Sequence, residues 1–232
     1  MNLLNRLRLA FDIIREPDHT HDIIFVHQIK DIRRVERISY LLETTKNKRV
    51  MHFGFLDSPF LEQKIAAHSM LHMKLRDESR SVFGVDVNTT DLNIYRKITS
   101  DTENVILDIS DADCNLEPLT KSPQDYLLFP EVLEHIGNPA AALKNLHRIC
   151  EKTGAELIIT VPNALSLPGL MDAASGQEIV HPDHFYYFSP VTIRRLVTSC
   201  GFVVREILLY GGSTTARRPG LTDSGVICVC HV

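Results

Sequence analysis

DYLLFPEVLEHIGNP, residues 125–139, joins a short apolar run to a cluster of ionisable side chains and then to a helix start. Tyr126 to Phe129 are apolar without a break, the pattern of a strand buried on both faces, as in a parallel sheet. Glu131, Glu134 and His135 follow within five residues, set among apolar neighbours, which is odd for mere packing. Past the carboxyl end of a strand in a doubly wound sheet, such groups stand where ligands bind. From about Pro139 to Glu151 the pattern is helical, and Gly154 closes it.

The same alternation of short apolar run and helix extends to both sides. Upstream lie RVMHFGF (49–55), a helical segment from about Leu61 to Arg76, SVFGVDV (81–87) and ENVILDI (103–109). Downstream lie AELIITVP (155–162), an irregular loop over about 163–188, a helix opened by Ser189-Pro190 and closed by Gly201, then FVVREILLY (202–210) and VICVCHV (226–232). Strands alternating with helices build a parallel α/β sheet. The last two runs have no helix between them, so they pair antiparallel. Five βα units and that final pair predict a seven-stranded, doubly wound sheet in the order 3-2-1-4-5-7-6, its last strand antiparallel.

Residues 1–47 read as an N-terminal helical extension or cap on a main domain of residues 48–232. Leu3, Leu4, Leu7, Ala10, Phe11 and Ile14 recur at helical spacing, and Pro17 interrupts them. A second stripe runs from about His21 to Glu43 through Ile23, Val26, Ile29, Ile32, Val35 and Ile38. It suits a lid or packing helix, or a contact between two copies of the chain.

Of the 232 residues, 44% are hydrophobic and 23% charged, enough apolar material for one large folded domain. A net charge of −4 gives no sign of the basic face that nucleic acid requires. No apolar run approaches the roughly 18 residues of a membrane helix. Arg6, Arg8, Asp12 and Arg15 break the N-terminal stretch where a signal peptide needs continuity. Cys114, Cys150, Cys200, Cys228 and Cys230 show no CxxC spacing, which fits reduced, buried thiols. A cytoplasmic protein with neither a nucleic-acid nor a membrane partner is expected.

Other strand ends carry candidate ligand groups. VMHFGFLDSP (50–59) places Gly54 where backbone can approach a ligand without a Cβ, flanked by His52, Phe55 and Asp57. VFGVDVN (82–88) sets Asp86 at a strand tip, where an acid can accept from both ribose hydroxyls, with Val87 beside it. VILDISD (105–111) sets Asp108 and Ile109 similarly, although Asp108, Asp111 and Asp113 also suit a simple acidic turn. HPDHFYYFSPVTI (181–193) carries His181 and His184 after the fifth run. A neutral histidine there can take a proton from a hydroxyl or an amine. The aromatic run Phe185 to Phe188 can wall a pocket. His181, Asp183 and His184 offer too small a ligand set for a metal, and none is expected.

In this order the pieces resemble the class I S-adenosylmethionine (SAM)-dependent methyltransferases over about residues 48–232, in particular the small-molecule branch with an EVLEH segment. The resemblance implies a Rossmann-like sheet and SAM as cofactor. The implied cofactor residues are His52, Gly54, Phe55, Asp57, Asp86, Val87, Asp108, Ile109, Pro130 and Glu131, with Asp86 on the ribose and Asp108 on the adenine. The implied substrate residues are His135, Tyr186 and Tyr187, with His181 and His184 as candidate bases. Two positions of the first motif depart from the family pattern: His52 replaces the usual acid, and Leu56 stands where a second glycine is expected; further on, Pro130 stands where a small residue is usual and restrains the backbone. His52, Gly54, Asp57 and Pro59 resemble instead a variant HxGxxDxP motif associated with sugar or surface-polysaccharide pathways. From Gly54 to Asp86 is 86 − 54 = 32 positions against a usual spacing of about 20, so extra residues lengthen the first crossover. The expected activity is methyl transfer to a small molecule or glycan, in polysaccharide or natural-product biosynthesis, with oxygen the preferred acceptor. The alternative is a binding or scaffold protein with this fold and little turnover. A nicotinamide-dependent enzyme would need GxGxxG after the first strand, and HFGFLD lacks it.

Overall fold

The computed structural model describes residue 4, residues 29–211 and residues 223–232. Apart from Leu4, the stripe over residues 3–14 and the first part of the 21–43 stretch lie outside the described residues. The chain runs β1 (Arg34–Val35), α1 (Arg37–Thr45), β2 (Arg49–Phe53), α2 (Leu61–Ala66), α3 (Leu71–Glu78), β3 (Ser81–Asp86), α4 (Thr89–Thr99), β4 (Asn104–Ile106) and β5 (Tyr126–Pro130). It continues with α5 (Pro139–Thr153), β6 (Glu156–Pro162), α6 (Leu167–Ala174), α7 (Pro190–Ser199), β7 (Val203–Tyr210) and β8 (Gly225–His231). The strands form one eight-stranded sheet in the order β4-β3-β2-β5-β6-β8-β7-β1. Counted over the seven expected runs, β2 to β8 follow 3-2-1-4-5-7-6. Only β8 is antiparallel to its neighbours.

The strand residues alternate between two layers, as a period of two requires. Met51, Phe53, Leu127, Phe129, Leu157 and Ile159 face one side, packed with Leu143, Leu146 and Ile149 of α5 and Ile193 and Val197 of α7. Val50, Leu128, Ile158, Leu208 and Ile227 face the other, packed with Leu41 of α1 and Leu75 of α3. Cys228 and Cys230 are buried in the first layer and none of the five cysteines is paired. The helix ends are set locally. Asn138 caps α5 through Ala141 N, and Gly154 ends it in the left-handed region. Ser189 and Thr192 form a reciprocal capping box on α7.

Four expectations give way. The sheet has an eighth strand, and the described part of the 21–43 stretch is not one helix. A 3-10 turn at Ile29–Asp31 is followed by β1 and then α1. Here the open edge of β7 outcompetes helical periodicity: Leu209 N donates to the Arg33 carbonyl at 3.0 Å, and Arg34 pairs with Leu209. The Glu36 carboxylate then starts α1, accepting from the amides of Ile38 and Ser39 at 3.1 and 2.7 Å. The first crossover is likewise two helices, α2 and α3, parted at His68, whose φ is 50°, and at the fully buried Met70. The 163–188 loop contains a helix, α6. No helix among the described residues is long and apolar enough to cross a membrane.

Candidate functional site

The carboxyl ends of β2, β3 and β5 open on one cavity of about 520 Å³. Its wall includes His52, Gly54, Phe55, Asp57, Asp86, Val87, Pro130, Glu131, His135, His181 and His184, all expected from the sequence. Four expected residues stand elsewhere because local bonds or the core claim them. Ile109 is buried in the first layer, and its carbonyl accepts from Asn145 Nδ2 at 3.0 Å. Asp108 closes its own turn, accepting from the Ser110 amide and hydroxyl at 2.8 and 2.7 Å, and Asp111 does the same for the Asp113 amide. Tyr186 donates to the Gly137 carbonyl at 3.0 Å and Tyr187 to the Ile179 carbonyl at 3.4 Å, both outside the cavity wall. Arg37, Leu71 and Val132 line the cavity without a sequence signal that ties them to it.

The first loop shows how the two departures are accommodated. Gly54 has φ +65°, and a Cβ there would overlap Val132 Cγ2, so glycine is required. The Leu56 side chain turns inward and is buried with Phe55, Leu61, Met70, Leu92 and Tyr95. Leu56, like Phe55, still borders the cavity. Its amide donates to Asp86 Oδ2 at 3.0 Å, while Asp86 Oδ1 accepts from the amides of Val87 and Asn88 at 2.8 and 3.0 Å. Asp86 thus fastens the turn after β2 to the turn after β3. Asp57 is paired with Lys64.

After β5 the backbone takes an uncommon conformation. Glu131 is a non-glycine residue at φ 54°, a type of strain that concentrates at functional sites. Its Oε1 accepts from the Tyr210 hydroxyl at 2.6 Å and the Thr160 hydroxyl at 2.7 Å. Arg37 Nη1 lies 3.6 Å from the same oxygen, and the Arg37 guanidinium stacks 5.4 Å from the Tyr210 ring centroid. Glu134 is 1% exposed, and its Oε2 has no hydrogen-bond partner among the described residues. Burial, reinforced by the Glu131 charge, pushes its carboxyl up to about 8, so it is protonated at neutral pH.

At the outer end of the cavity three imidazoles meet. Ring centroids lie 4.6 Å apart for His135 and His184, 5.5 Å for His135 and His181, and 5.2 Å for His181 and His184. One ring nitrogen from each lies within 4.8 Å of the others. The Phe185 amide donates to the Glu134 carbonyl at 2.8 Å and pins the His181–His184 segment over the turn after β5. Burial, and then the neighbouring imidazoles, hold His135 and His184 below the usual histidine value, so both are neutral near pH 7. Neutral imidazoles can accept protons or ligate a cation. The sequence offered His181 and His184 as a pair; folding adds His135, 181 − 135 = 46 positions earlier, which no local spacing announces.

A sheet of this order, a glycine turn after β2 and an acid ending β3, all facing one cavity, define the Rossmann-like fold of SAM-dependent methyltransferases. A family model described as a methyltransferase domain matches residues 36–207, more than half the chain, and the chain belongs to that family. Solved structures agree on the fold. A small RNA methyltransferase superposes with a TM-score of 0.57 at 17% identity, covering 84% of this chain, which spans only 24% of that longer one. A SAM-dependent methyltransferase from Thermotoga maritima, described as a possible histamine N-methyltransferase, gives 0.55 at 16% identity and covers 96% of each chain. A magnesium protoporphyrin IX methyltransferase from Synechocystis, crystallised with S-adenosylhomocysteine (SAH), gives 0.52 at 13% identity, covering 97% of this chain and 95% of its own. None of the curated proteins matches the sequence.

Proposed function

We propose that this protein is a cytoplasmic enzyme that transfers the methyl group of SAM to a small molecule or glycan, with oxygen the preferred acceptor. The observation that carries the reading is the meeting, in one cavity, of the Gly54 and Asp86 loops with a cluster of three imidazoles. The residues fit SAM: Gly54 keeps the approach free of a Cβ, the Leu56 side chain is packed among buried neighbours, and Asp86 lines the wall. A volume of about 520 Å³ lies within the ordinary range for small-ligand sites. When bound, SAM supplies an electrophilic methyl group on a sulfonium. The chain's part is to position the acceptor, exclude water and remove a proton. His184 and His135, held neutral by burial, are suited to take that proton from a hydroxyl. The test is calorimetric binding of SAM, followed by a search for a methyl-group mass gain across sugar and phenol acceptors. His184→Asn and His135→Asn should bind SAM normally and lose turnover. Failure of the parent protein to bind SAM would favour the scaffold reading instead.

A second reading is favoured by the three-imidazole cluster. His135, His181 and His184 would hold a divalent cation of the kind that prefers imidazole nitrogen, against which an acceptor oxygen could be oriented and made more acidic. Metal analysis of the purified protein, and turnover after chelation and readdition of zinc or nickel, separates this from a purely organic base.

A further inference from the structure

His52 occupies the end of β2 and lines the cavity, yet it is only 3% exposed. Behind it stands His72 of α3, on the lengthened crossover, with the two Nδ1 atoms 3.2 Å apart and the rings stacked at 5.4 Å. His72 is fully buried, lying against Phe55 at 4.3 Å and Tyr95 at 5.9 Å between ring centroids. Its Nε2 has no hydrogen-bond partner among the described residues, and a carboxylate oxygen, Asp101 Oδ2, lies 3.6 Å from it. Asp101 is 3% exposed, accepts from the Tyr95 hydroxyl at 2.9 Å and the Glu103 amide at 3.0 Å, and is ion-paired with Arg76.

We infer that this line of residues fixes the position of one proton and thereby makes His52 an uncharged acceptor aimed at the ammonium group of an amino-acid-bearing ligand. Two Nδ1 atoms at bonding distance require one N–H and one lone pair. A lone pair on His72 Nε2 would face the Asp101 carboxylate and be repelled, so His72 carries its proton on Nε2 and offers Nδ1 as acceptor. His52 then donates from Nδ1, and its Nε2 is bare. Burial, and next the neighbouring His72, hold His52 well below the usual histidine value, and burial also lowers His72, so both rings are neutral in this arrangement. Asp101 and His72 are positioning residues, because they act on the ligand only through His52.

An acceptor without charge suits this cavity. Its wall already carries the carboxyl groups of Asp57, Asp86, Glu131, Glu134 and Asp183, and another buried carboxylate would be costly to desolvate. Arg37 lines the same cavity and meets Glu131 only at 3.6 Å, which leaves the guanidinium able to turn toward a ligand carboxylate. His52 and Arg37 together match the two ends of an α-amino acid. The inference deepens the SAM reading, since SAM ends in such a group, and rests on that reading for its ligand.

Two measurements on the full chain test it. In the first, long-range proton–nitrogen NMR of ¹⁵N-histidine-labelled protein reads which ring nitrogens carry hydrogen. His52 should be the Nδ1–H tautomer and His72 the Nε2–H tautomer. An Nε2–H or a doubly protonated His52 overturns the inference, whatever the protein binds. In the second, calorimetry compares SAH with its analogue lacking the α-amino group. The parent should prefer SAH, and His52→Leu should reduce that preference by about tenfold, while His52→Gln, which retains an acceptor oxygen, should keep most of it. His72→Phe, which retains an aromatic ring among aromatic neighbours, should fold, shift His52 toward Nε2–H and weaken the preference. Undiminished preference in His52→Leu or His72→Phe overturns the ammonium assignment. Absence of SAH binding to a parent protein that shows the stated tautomers would overturn the SAM reading and, with it, the ligand assigned to His52.

Discussion

Replacing Asp86 by alanine tests the hinge of the site in two separable ways. The carboxylate accepts from the amides of Leu56, Val87 and Asn88 at 3.0, 2.8 and 3.0 Å. A hydrogen bond to a charged group contributes roughly 1.5–3 kcal/mol when its loss leaves a buried partner unpaired. Only the Leu56 bond reaches across to another loop and lies against a buried side chain; Val87 is exposed, and water can replace its bond and much of the Asn88 bond. Counting about 2 kcal/mol for Leu56 and about 0.5 for the other two together gives a loss of about 2.5 kcal/mol. For a chain of this length that corresponds to a fall in Tm of roughly 5–10 °C. Asp86→Asn keeps one acceptor oxygen and should lose about half as much. If Asp86 also holds the ribose, the folded alanine variant should bind SAM more weakly by about 1–3 kcal/mol. Urea unfolding reads the first quantity and calorimetry below the transition reads the second. Unfolding free energy within about 0.5 kcal/mol of the parent would refute the loop-fastening role, since that is the scatter of an inert surface change. Parental SAM affinity in the folded variant would refute the ribose role.

Gly54→Ala should destabilise by about 2–4 kcal/mol in urea and impair SAM binding, because it adds a left-handed penalty to an overlap with Val132; Gly154→Ala, with nothing within 4 Å of the added Cβ, should show only about 1 kcal/mol and normal binding. Asp125, whose carboxyl is held down to about 2 by bonds from the Arg49 side chain and amide, has a folded pKa below its free value of 3.8. Its contribution is therefore present above about pH 4 and is lost as pH falls toward 2; after solvent screening it amounts to about 1 kcal/mol, and the gap between parent and Asp125→Asn in urea should close over that window. Asn145→Ala should cost about 2–3 kcal/mol, because Nδ2 donates to the carbonyls of Ile109 and Asp111 at 3.0 and 2.8 Å and holds the acidic turn in place. Leu56→Gly, which restores the usual family residue, should destabilise by about 3–5 kcal/mol in the same assay rather than improve SAM affinity, since it empties a packed site.

The sheet was legible because each of its seven longer strands is a compact apolar run and its helices carry their own end signals, as Asn138-Pro139, Gly154 and Ser189-Pro190 show. β1 was not, since two residues carry no periodicity, and their placement is decided by the free edge of β7. Within the site, Gly54 and Asp86 were readable because a strand end fixes where such a residue points. Asp108 and Ile109 occupy an equivalent position in the sequence pattern, but they lie outside this cavity's wall, Asp108 bonded within its own turn and Ile109 buried in the core. Arg37, His72 and the meeting of His135 with His181 and His184 were not readable at all, because each depends on segments that only the tertiary fold brings together.

The two departures from the family pattern and the longer crossover are one packing solution rather than three separate losses. Leu56 and Phe55 of the first motif pack with Leu61 of α2 and with Met70, both from the added crossover, and with Leu92 and Tyr95 of α4. Gly84 belongs to the same solution, since a Cβ there would overlap the Phe55 ring. With Leu56 pointed into that cluster, its amide is free to bond Asp86, and the turn after β2 keeps its shape without a second glycine. The same crossover delivers His72 behind His52, so a histidine can stand where an acid is usual and still present an acceptor. Leu56→Gly and His72→Phe therefore probe one arrangement from its two sides: the first should break its packing and spare the tautomer of His52 in whatever fraction folds, and the second should keep the packing and alter the tautomer.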